Sequence, residues 1–288
     1  MIPAQFDYET PNTIAEAIAL LAQRPDDAKI LAGGHSLIPA MKLRLAQPQL
    51  VIDLGRIKDL SYIKVDADRI LIGAMTTHYQ IESSQVLKDV CPLLPECAAT
   101  IGDVQVRNKG TIGGSIAHSD PAADWPAAAI ALRAEIVAVG AHGERVIKAD
   151  DFFLDLLTTA LEPGEIIREI RIARPKSAAG QAYQKVPHPA SGFAVVGVAV
   201  VLSVNADNVC ESASVGVTGV AVKAYRAAAV EAALTGKPLD DATIETAASH
   251  VGDGIEANTD LYSSDKYRVH LASVHTARAI KRAISSKA

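Results

Sequence analysis

Cysteine is scarce in this chain. Cys91, Cys97 and Cys210 are the only three in 288 residues, and none belongs to a CxxC pair. A zinc or iron–sulfur site needs about four ligands at motif spacing, so neither is expected on this chain. The three cysteines read as small apolar core residues. Long hydrophobic runs are also missing. No stretch approaches the ~18 consecutive apolar residues of a membrane span. The start, Met1-Ile2-Pro3-Ala4-Gln5-Phe6-Asp7-Tyr8, has no basic region followed by an apolar one. No signal peptide is expected, and the cytoplasm is the expected location. Basic charge is not in excess: the formal net charge is −5, which argues against nucleic acid as a partner. There is no GxGxxG, and no Ser/His/Asp or Cys/His constellation that would mark nucleophilic catalysis. Repeats and low-complexity tracts are absent.

What is present is a soluble globular composition, 49% hydrophobic and 21% charged, in a chain long enough for two or three subdomains. Its most informative stretch is Leu31-Ala32-Gly33-Gly34-His35-Ser36-Leu37-Ile38-Pro39. An apolar run ends on two adjacent glycines, and a small hydroxyl residue follows. Glycines without Cβ let backbone approach a ligand closely, and successive N–H groups in such a turn form an anion-holding nest. The idea recurs at Gly110-Thr111-Ile112-Gly113-Gly114-Ser115. Two such loops suggest two backbone clamps on one elongated, phosphate-bearing ligand. Either loop by itself is equally a plain strand-to-helix turn.

Along the chain, Thr13 and Glu16 read as a capping box opening a helix with Ile14, Ile18 and Leu21 on one face. Ala28–Leu31 and Leu50–Leu54 read as strands flanking a helix that carries Ile38, Met41, Leu43 and Leu45, a βαβ-like start. Residues 61–73 and 135–149 read as hairpins, with a strand at 165–172. A helical stretch runs from His78 through Leu87, a helix spans 92–101, and 103–110 reads as a polar loop. An Ala-rich helix ends at Leu132. Arg174-Pro175-Lys176-Ser177-Ala178-Ala179-Gly180 is the best linker. Beyond it, 181–186, 194–204 and 210–218 read as three antiparallel strands. Helices follow at 224–234 and 242–250, with a final amphipathic one at 266–284 on Val269, Leu271, Val274 and Ile280. The fold class is α+β.

These residues carry a resemblance. The loops Ala32-Gly33-Gly34-His35-Ser36 and Thr111-Ile112-Gly113-Gly114-Ser115 resemble the two FAD-binding segments of the p-cresol methylhydroxylase-type flavin domain. More narrowly, the chain resembles the medium, flavin-carrying subunit of the xanthine dehydrogenase and carbon monoxide dehydrogenase family of molybdenum hydroxylases. The likeness includes Phe6-Asp7-Tyr8, Asp53-Leu54, Ile72-Gly73-Ala74, Val106-Arg107-Asn108, Asp120-Pro121-Ala122-Ala123-Asp124 and Leu161-Glu162-Pro163-Gly164-Glu165. It implies two FAD subdomains, at 1–56 and 57–176, and a C-terminal three-strand sheet with helices, of the CO dehydrogenase flavoprotein type, at 177–288.

The resemblance also implies the cofactor contacts. Ala32, Gly33, Gly34, His35, Ser36 and Leu37 would bind the diphosphate through backbone N–H groups. Thr111, Gly113, Gly114 and Ser115 would hold the other side of the dinucleotide. Ile101 and Gly102 would lie near the flavin or its chain, and Asp124 would meet sugar or ribityl hydroxyls. Ile167 would pack on the adenine or the ring, Lys185 would sit near the isoalloxazine edge, and Phe193 would shield the ring. Ser115 stands where relatives often carry Asn. The plain readings stay open: core for Ile101 and Ile167, simple packing for Phe193, and a cap on the helix beginning at Pro126 for Asp124. His35 is not expected to carry protons, and Trp125 reads as core.

The function so implied is an electron-transfer subunit that passes electrons from [2Fe–2S] clusters through FAD to an external acceptor. Partners would be a large subunit with molybdopterin (cytosine dinucleotide) and a small subunit with two [2Fe–2S] clusters, in an (αβγ)2 assembly. No residue of this chain is expected to act as an acid, base or nucleophile. Alternatives are a stand-alone FAD-dependent oxidase, a doubly wound nucleotide enzyme, and a scaffold that has lost FAD.

Overall fold

Parallel pairing comes first in the chain. In the computed structural model, which describes residues 1–175 and 179–286, five elements make the N-terminal layer. They are β1 (Asp7–Glu9), α1 (Ile14–Gln23), β2 (Ala28–Leu31), α2 (Leu37–Lys42) and β3 (Leu50–Asp53). β3 is central and pairs in parallel with both β1 and β2. Thr13 caps α1 by accepting from the Glu16 N–H at 3.2 Å. The return bond goes one residue further than the capping box expects: Glu16 accepts from Asn12, not Thr13. α2 ends at Lys42, before the expected Leu45. Of the four apolar residues placed on it, only Met41 is buried; Ile38, Leu43 and Leu45 are exposed.

The second layer begins with β4 (Ile63–Val65) and β5 (Arg69–Gly73). Five helices follow: α3 (His78–Ser83), α4 (Gln85–Val90), α5 (Leu93–Ala99), α6 (Val104–Lys109) and α7 (Ile112–His118). Then come α8 (Asp124–Ala131), β6 (Glu135–Gly140), β7 (Gly143–Lys148), α9 (Ala149–Phe152), β8 (Phe153–Asp155), β9 (Thr158–Thr159) and β10 (Ile166–Ala173). Both expected hairpins form, but β10 inserts between them, antiparallel to β5 and to β6, in the order β4-β5-β10-β6-β7. The stretch expected as one helix from His78 breaks at Ser84, whose hydroxyl caps α4. The expected polar loop at 103–110 contains α6. Asp103 caps it by accepting from Val106 N at 2.9 Å, and Arg107 ties it to Glu82 at 2.7 Å. Six residues with no buried side chain show no apolar periodicity, so pattern reading could not find this helix.

The third layer holds β11 (Ala179–Pro187), β12 (Ala194–Val204), β13 (Cys210–Thr218) and β14 (Tyr225–Arg226). Helices α10 (Ala228–Leu234), α11 (Asp241–Ser249) and α12 (Asp265–Ser285) complete it. The sheet has four strands in sequence order, one more than the three expected; the addition is the two-residue edge strand β14. The expected linker at 174–180 lies partly outside the described residues, and so does the boundary at 176–177. β12 is apolar almost throughout because both its faces are covered. α8 lies on one and α12 on the other. All three cysteines are buried. Among the described residues, no helix is long and apolar enough to cross a membrane.

α8 is where the second and third layers meet, and it is buried over its whole length. Its small residues allow a close approach to β13. A Cβ on Gly216 would stand 2.1 Å from the Ala127 carbonyl oxygen. The start of α8 is pinned from the same sheet: the Thr218 hydroxyl lies 2.7 Å from the Pro121 carbonyl and 2.8 Å from that of Ala123. Gly216→Ala should therefore cost about 3 kcal/mol, or roughly 6–12 °C in thermal midpoint. An unchanged midpoint would show that the seam between α8 and the sheet has slack.

Candidate functional site

A cleft of about 540 Å³ opens where the three layers converge, within the ~300–1,000 Å³ typical of cofactor sites. The first glycine loop forms one wall. Gly34 takes φ of +80°, the left-handed region glycine favours, and Ser36 follows in right-handed geometry. The N–H groups of Gly33, Gly34, His35 and Ser36 donate to no acceptor among the described residues. Four successive unspent donors make an anion nest. Gly33 lies directly against the second loop, where a Cβ would stand 2.3 Å from the Lys109 carbonyl oxygen and 2.6 Å from Gly110 Cα. The two loops thus cross backbone to backbone.

The second loop differs from the first. Its N–H groups are spent within the protein: Ile112 on Thr76 O, Gly113 on Ala74 O, Gly114 on Thr111 Oγ1 and Ser115 on Thr111 O. Thr111 caps α7, and the loop presents the walls of a helix start to the cleft. Gly113 does not line the cleft. It packs on Ala74, just past the end of β5, where a Cβ would fall 2.5 Å from Ala74 Cβ. Gly114 faces the first loop, with Ala32 Cβ 3.2 Å from where its own Cβ would be.

Of the other expected site residues, Ala32, His35, Leu37, Ile101, Gly102, Ser115, Asp124 and Phe193 line the cleft. Phe193 is 44% exposed at its edge. Ile167 does not line it; it pairs with Ala138 inside the core, 4% exposed. Lys185 lies behind the wall. Its ammonium donates to Asp124 Oδ2 at 2.8 Å and to the Thr100 carbonyl at 2.9 Å, and both ion-pair side chains are 4% exposed. Tyr183 donates to the other oxygen, Oδ1, at 2.6 Å. Burial pushes the Asp124 carboxyl above the usual range, while Lys185 and Tyr183 pull against that. The plain alternative for Asp124, a cap on its helix, does not hold. The helix starts at Asp124 itself, with Ala123 as the capping residue, and the carboxylate is committed to β11.

Sequence reading missed several wall residues, among them His78, Leu157 and Gly192. Gly192, next to Phe193, packs on Gly102 across the mouth of the cleft; a glycine beside an expected site aromatic was a usable signal. His78 had none, because its partner Trp125 lies 47 residues away. The Trp125 indole donates to His78 Nδ1 at 3.0 Å, which places the proton of the neutral ring on Nε2.

Two family models match the chain. That of an FAD binding domain in molybdopterin dehydrogenase covers residues 4–175, and that of a CO dehydrogenase flavoprotein C-terminal domain covers 181–283. The carbon monoxide dehydrogenase medium chain of Hydrogenophaga pseudoflava is 40% identical over 98% of both chains. This chain belongs to the FAD-binding medium subunits of the molybdenum hydroxylases. A solved carbon monoxide dehydrogenase from the same organism superposes with a TM-score of 0.96, at 41% identity and 99% coverage of both chains. The glyceraldehyde dehydrogenase medium chain of Sulfolobus acidocaldarius is 36% identical, over 98% of this chain and 99% of that one. The medium subunit is the FAD-carrying, electron-transfer part of a molybdenum-containing oxidoreductase whose molybdopterin and [2Fe–2S] centres sit on other subunits.

In this medium subunit His78 titrates far from its usual range. Burial first, then the charges of His35 and Arg107, lower it from 6.5 to about 4. The folded protein keeps the ring neutral where the unfolded chain would protonate it. Its contribution is therefore full above pH 6.5 and is lost as pH falls to about 4, a swing of about 3 kcal/mol. His78→Gln keeps an acceptor for Trp125 but cannot titrate. Denaturation across this window should show a flatter pH dependence in the variant. Equal slopes would mean that the ring is already charged in the fold.

Proposed function

We propose that the three-layer cleft is the FAD site of this medium subunit, and that the subunit works in the cytoplasm within an (αβγ)2 molybdenum hydroxylase. The observation that carries the site assignment is the first glycine loop. Its residues Gly33 to Ser36 line a cleft of about 540 Å³, and their four N–H groups are unspent among the described residues. A diphosphate is the ligand such a nest accepts. The glycine cradle fits as well, since a Cβ on Gly33 would push the loops apart.

Bound FAD supplies the redox chemistry, and the protein supplies binding, orientation and electrostatics. Gly33 to Ser36 hold the diphosphate. Thr111, Gly114 and Ser115 shape the opposite wall, where the serine hydroxyl can donate or accept. Asp124 accepts from sugar or ribityl hydroxyls. Lys185 acts from behind Asp124 by keeping its carboxylate charged and placed. Ile101, Gly102 and Phe193 border the flavin end, and Phe193 shields it from water. Ile167 supports the site only through the core. The units 1–56, 57–176 and 177–288 correspond to the three layers around the cleft. Substrate choice rests with the large subunit; relatives of this chain serve in enzymes named for substrates as different as carbon monoxide and glyceraldehyde.

Two experiments test this reading. The complex purified from its native source should show flavin bands, iron–sulfur absorbance and stoichiometric molybdenum, with a hydrodynamic mass of two copies of each subunit. Flavin alone, with turnover by the isolated chain, would make it a stand-alone oxidase. Gly33→Val should purify with less than about a tenth of the wild-type flavin, since the side chain meets backbone that cannot move aside. Full flavin content in that variant would sink the nest assignment.

A further inference from the structure

β11 places Tyr183 and Lys185 two residues apart, so both side chains leave the same face of the sheet. Both end on one carboxylate, Asp124, in the first turn of α8. The Tyr183 hydroxyl donates to Oδ1 at 2.6 Å and the Lys185 ammonium to Oδ2 at 2.8 Å. The tyrosine is itself buried, 3% exposed. A buried phenol costs free energy unless its hydroxyl is bonded, and its partner here is Asp124. Room for that hydroxyl is built into the neighbouring strand. Gly197 lies opposite Lys185 in the β11–β12 register, and a Cβ there would stand 2.3 Å from the Tyr183 hydroxyl oxygen.

We propose that Tyr183 is a positioning residue of the cofactor site, which acts by fixing the rotation of the Asp124 carboxylate from behind the cleft wall. This rests on the assignment of Asp124 to the cofactor's hydroxyls. A carboxylate turns readily about its last torsion, whose preference is broad. With one oxygen held by the Tyr183 hydroxyl, the other by the Lys185 ammonium, and the Thr100 side chain also bonding the carboxylate, that torsion is set. About four lone-pair sites are available; those not taken from behind face the cleft that Asp124 lines. Without the Tyr183 hydroxyl, Oδ1 loses its 2.6 Å bond, and only Lys185 and the Thr100 side chain are left to hold the carboxylate. The carboxylate then turns away from the angle its ligand needs. Because Tyr183 and Lys185 belong to the C-terminal sheet and Asp124 to α8, the seating of that sheet and the grip on the cofactor become one property.

The test is a double-mutant cycle on the full-length chain, stripped of flavin and titrated with FAD by fluorescence quenching. Tyr183→Phe should raise the dissociation constant about tenfold, the loss of one hydrogen bond to a charged group. In an Asp124→Asn background the same substitution should add less than about twofold. The visible spectrum of the bound flavin should shift in Tyr183→Phe and not shift further in the double variant. Equal weakening in both backgrounds would reduce Tyr183 to a packing role and overturn the proposal, as would no weakening in either. If Asp124→Asn alone leaves FAD affinity unchanged, the cofactor contact of Asp124 fails first and the proposal falls with it. Should Asp124→Asn not accumulate, Asp124→Leu with Lys185→Met removes the buried pair together and provides the background.

Discussion

Three chain segments meet at places where no side chain fits between them, and the architecture follows from that constraint. Gly33 crosses the Lys109–Gly110 backbone, Gly113 lies on Ala74, and Gly216 lies on the Ala127 carbonyl. Each contact joins elements far apart in sequence. The first brings the two glycine loops together into one cleft. The second sets α7 against Ala74, just past the end of β5, and the third sets α8 against the C-terminal sheet. Tight backbone contact leaves little freedom of relative position, because interiors are packed like organic crystals. The cleft is therefore a product of how layers seat on one another, and its wall positions are fixed to within small distances.

Polar groups at these seams are satisfied in ways that serve the site. The Asp124–Lys185 pair is costly to bury, but Tyr183 and the Thr100 carbonyl take up further bonding capacity on each side. What remains is an oriented carboxylate at the cleft wall. On the opposite side, His78 stays neutral behind the loop crossing and holds the Trp125 indole. Both groups couple the cleft to the core: Trp125 is 1% exposed, and Tyr183 is equally part of the apolar interior. Such buried networks specify one arrangement when fully bonded. The buried thiols have no part in this. Burial holds Cys91 up at about 12 and raises Cys97 well above its usual range, so both behave as small core residues.

Much of this was legible from residues in order. The two hairpins, the helix capped at Thr13, the long C-terminal helix and the three principal strands of the last sheet all announce themselves through period and turn chemistry. So does the first glycine loop as a close backbone turn, though by itself it reads equally as a plain strand-to-helix connection. α6 did not, because six residues without a buried side chain, stabilised by a cap and an ion pair, carry no hydrophobic period. The same holds for β14, two residues at a sheet edge. Gly113 and Gly114 look alike in sequence, yet one faces Ala74 and the other faces Ala32. Tyr183 was within reach: an alternating strand puts it on the face of Lys185.

The sequence by itself determined the α+β class, the family and the two glycine loops, since each depends on local pattern or on motif identity. Tertiary structure decided that β10 separates the two hairpins, that the second loop spends its N–H groups internally, and that Ile167 belongs to the core. It also decided that Asp124 answers to Tyr183 and Lys185 instead of capping its helix. These are contacts between residues tens of positions apart, such as the 59 between Asp124 and Tyr183. Pattern along a chain reports which face of an element is apolar. It does not report which distant polar group that face will meet, because that depends on how the layers seat.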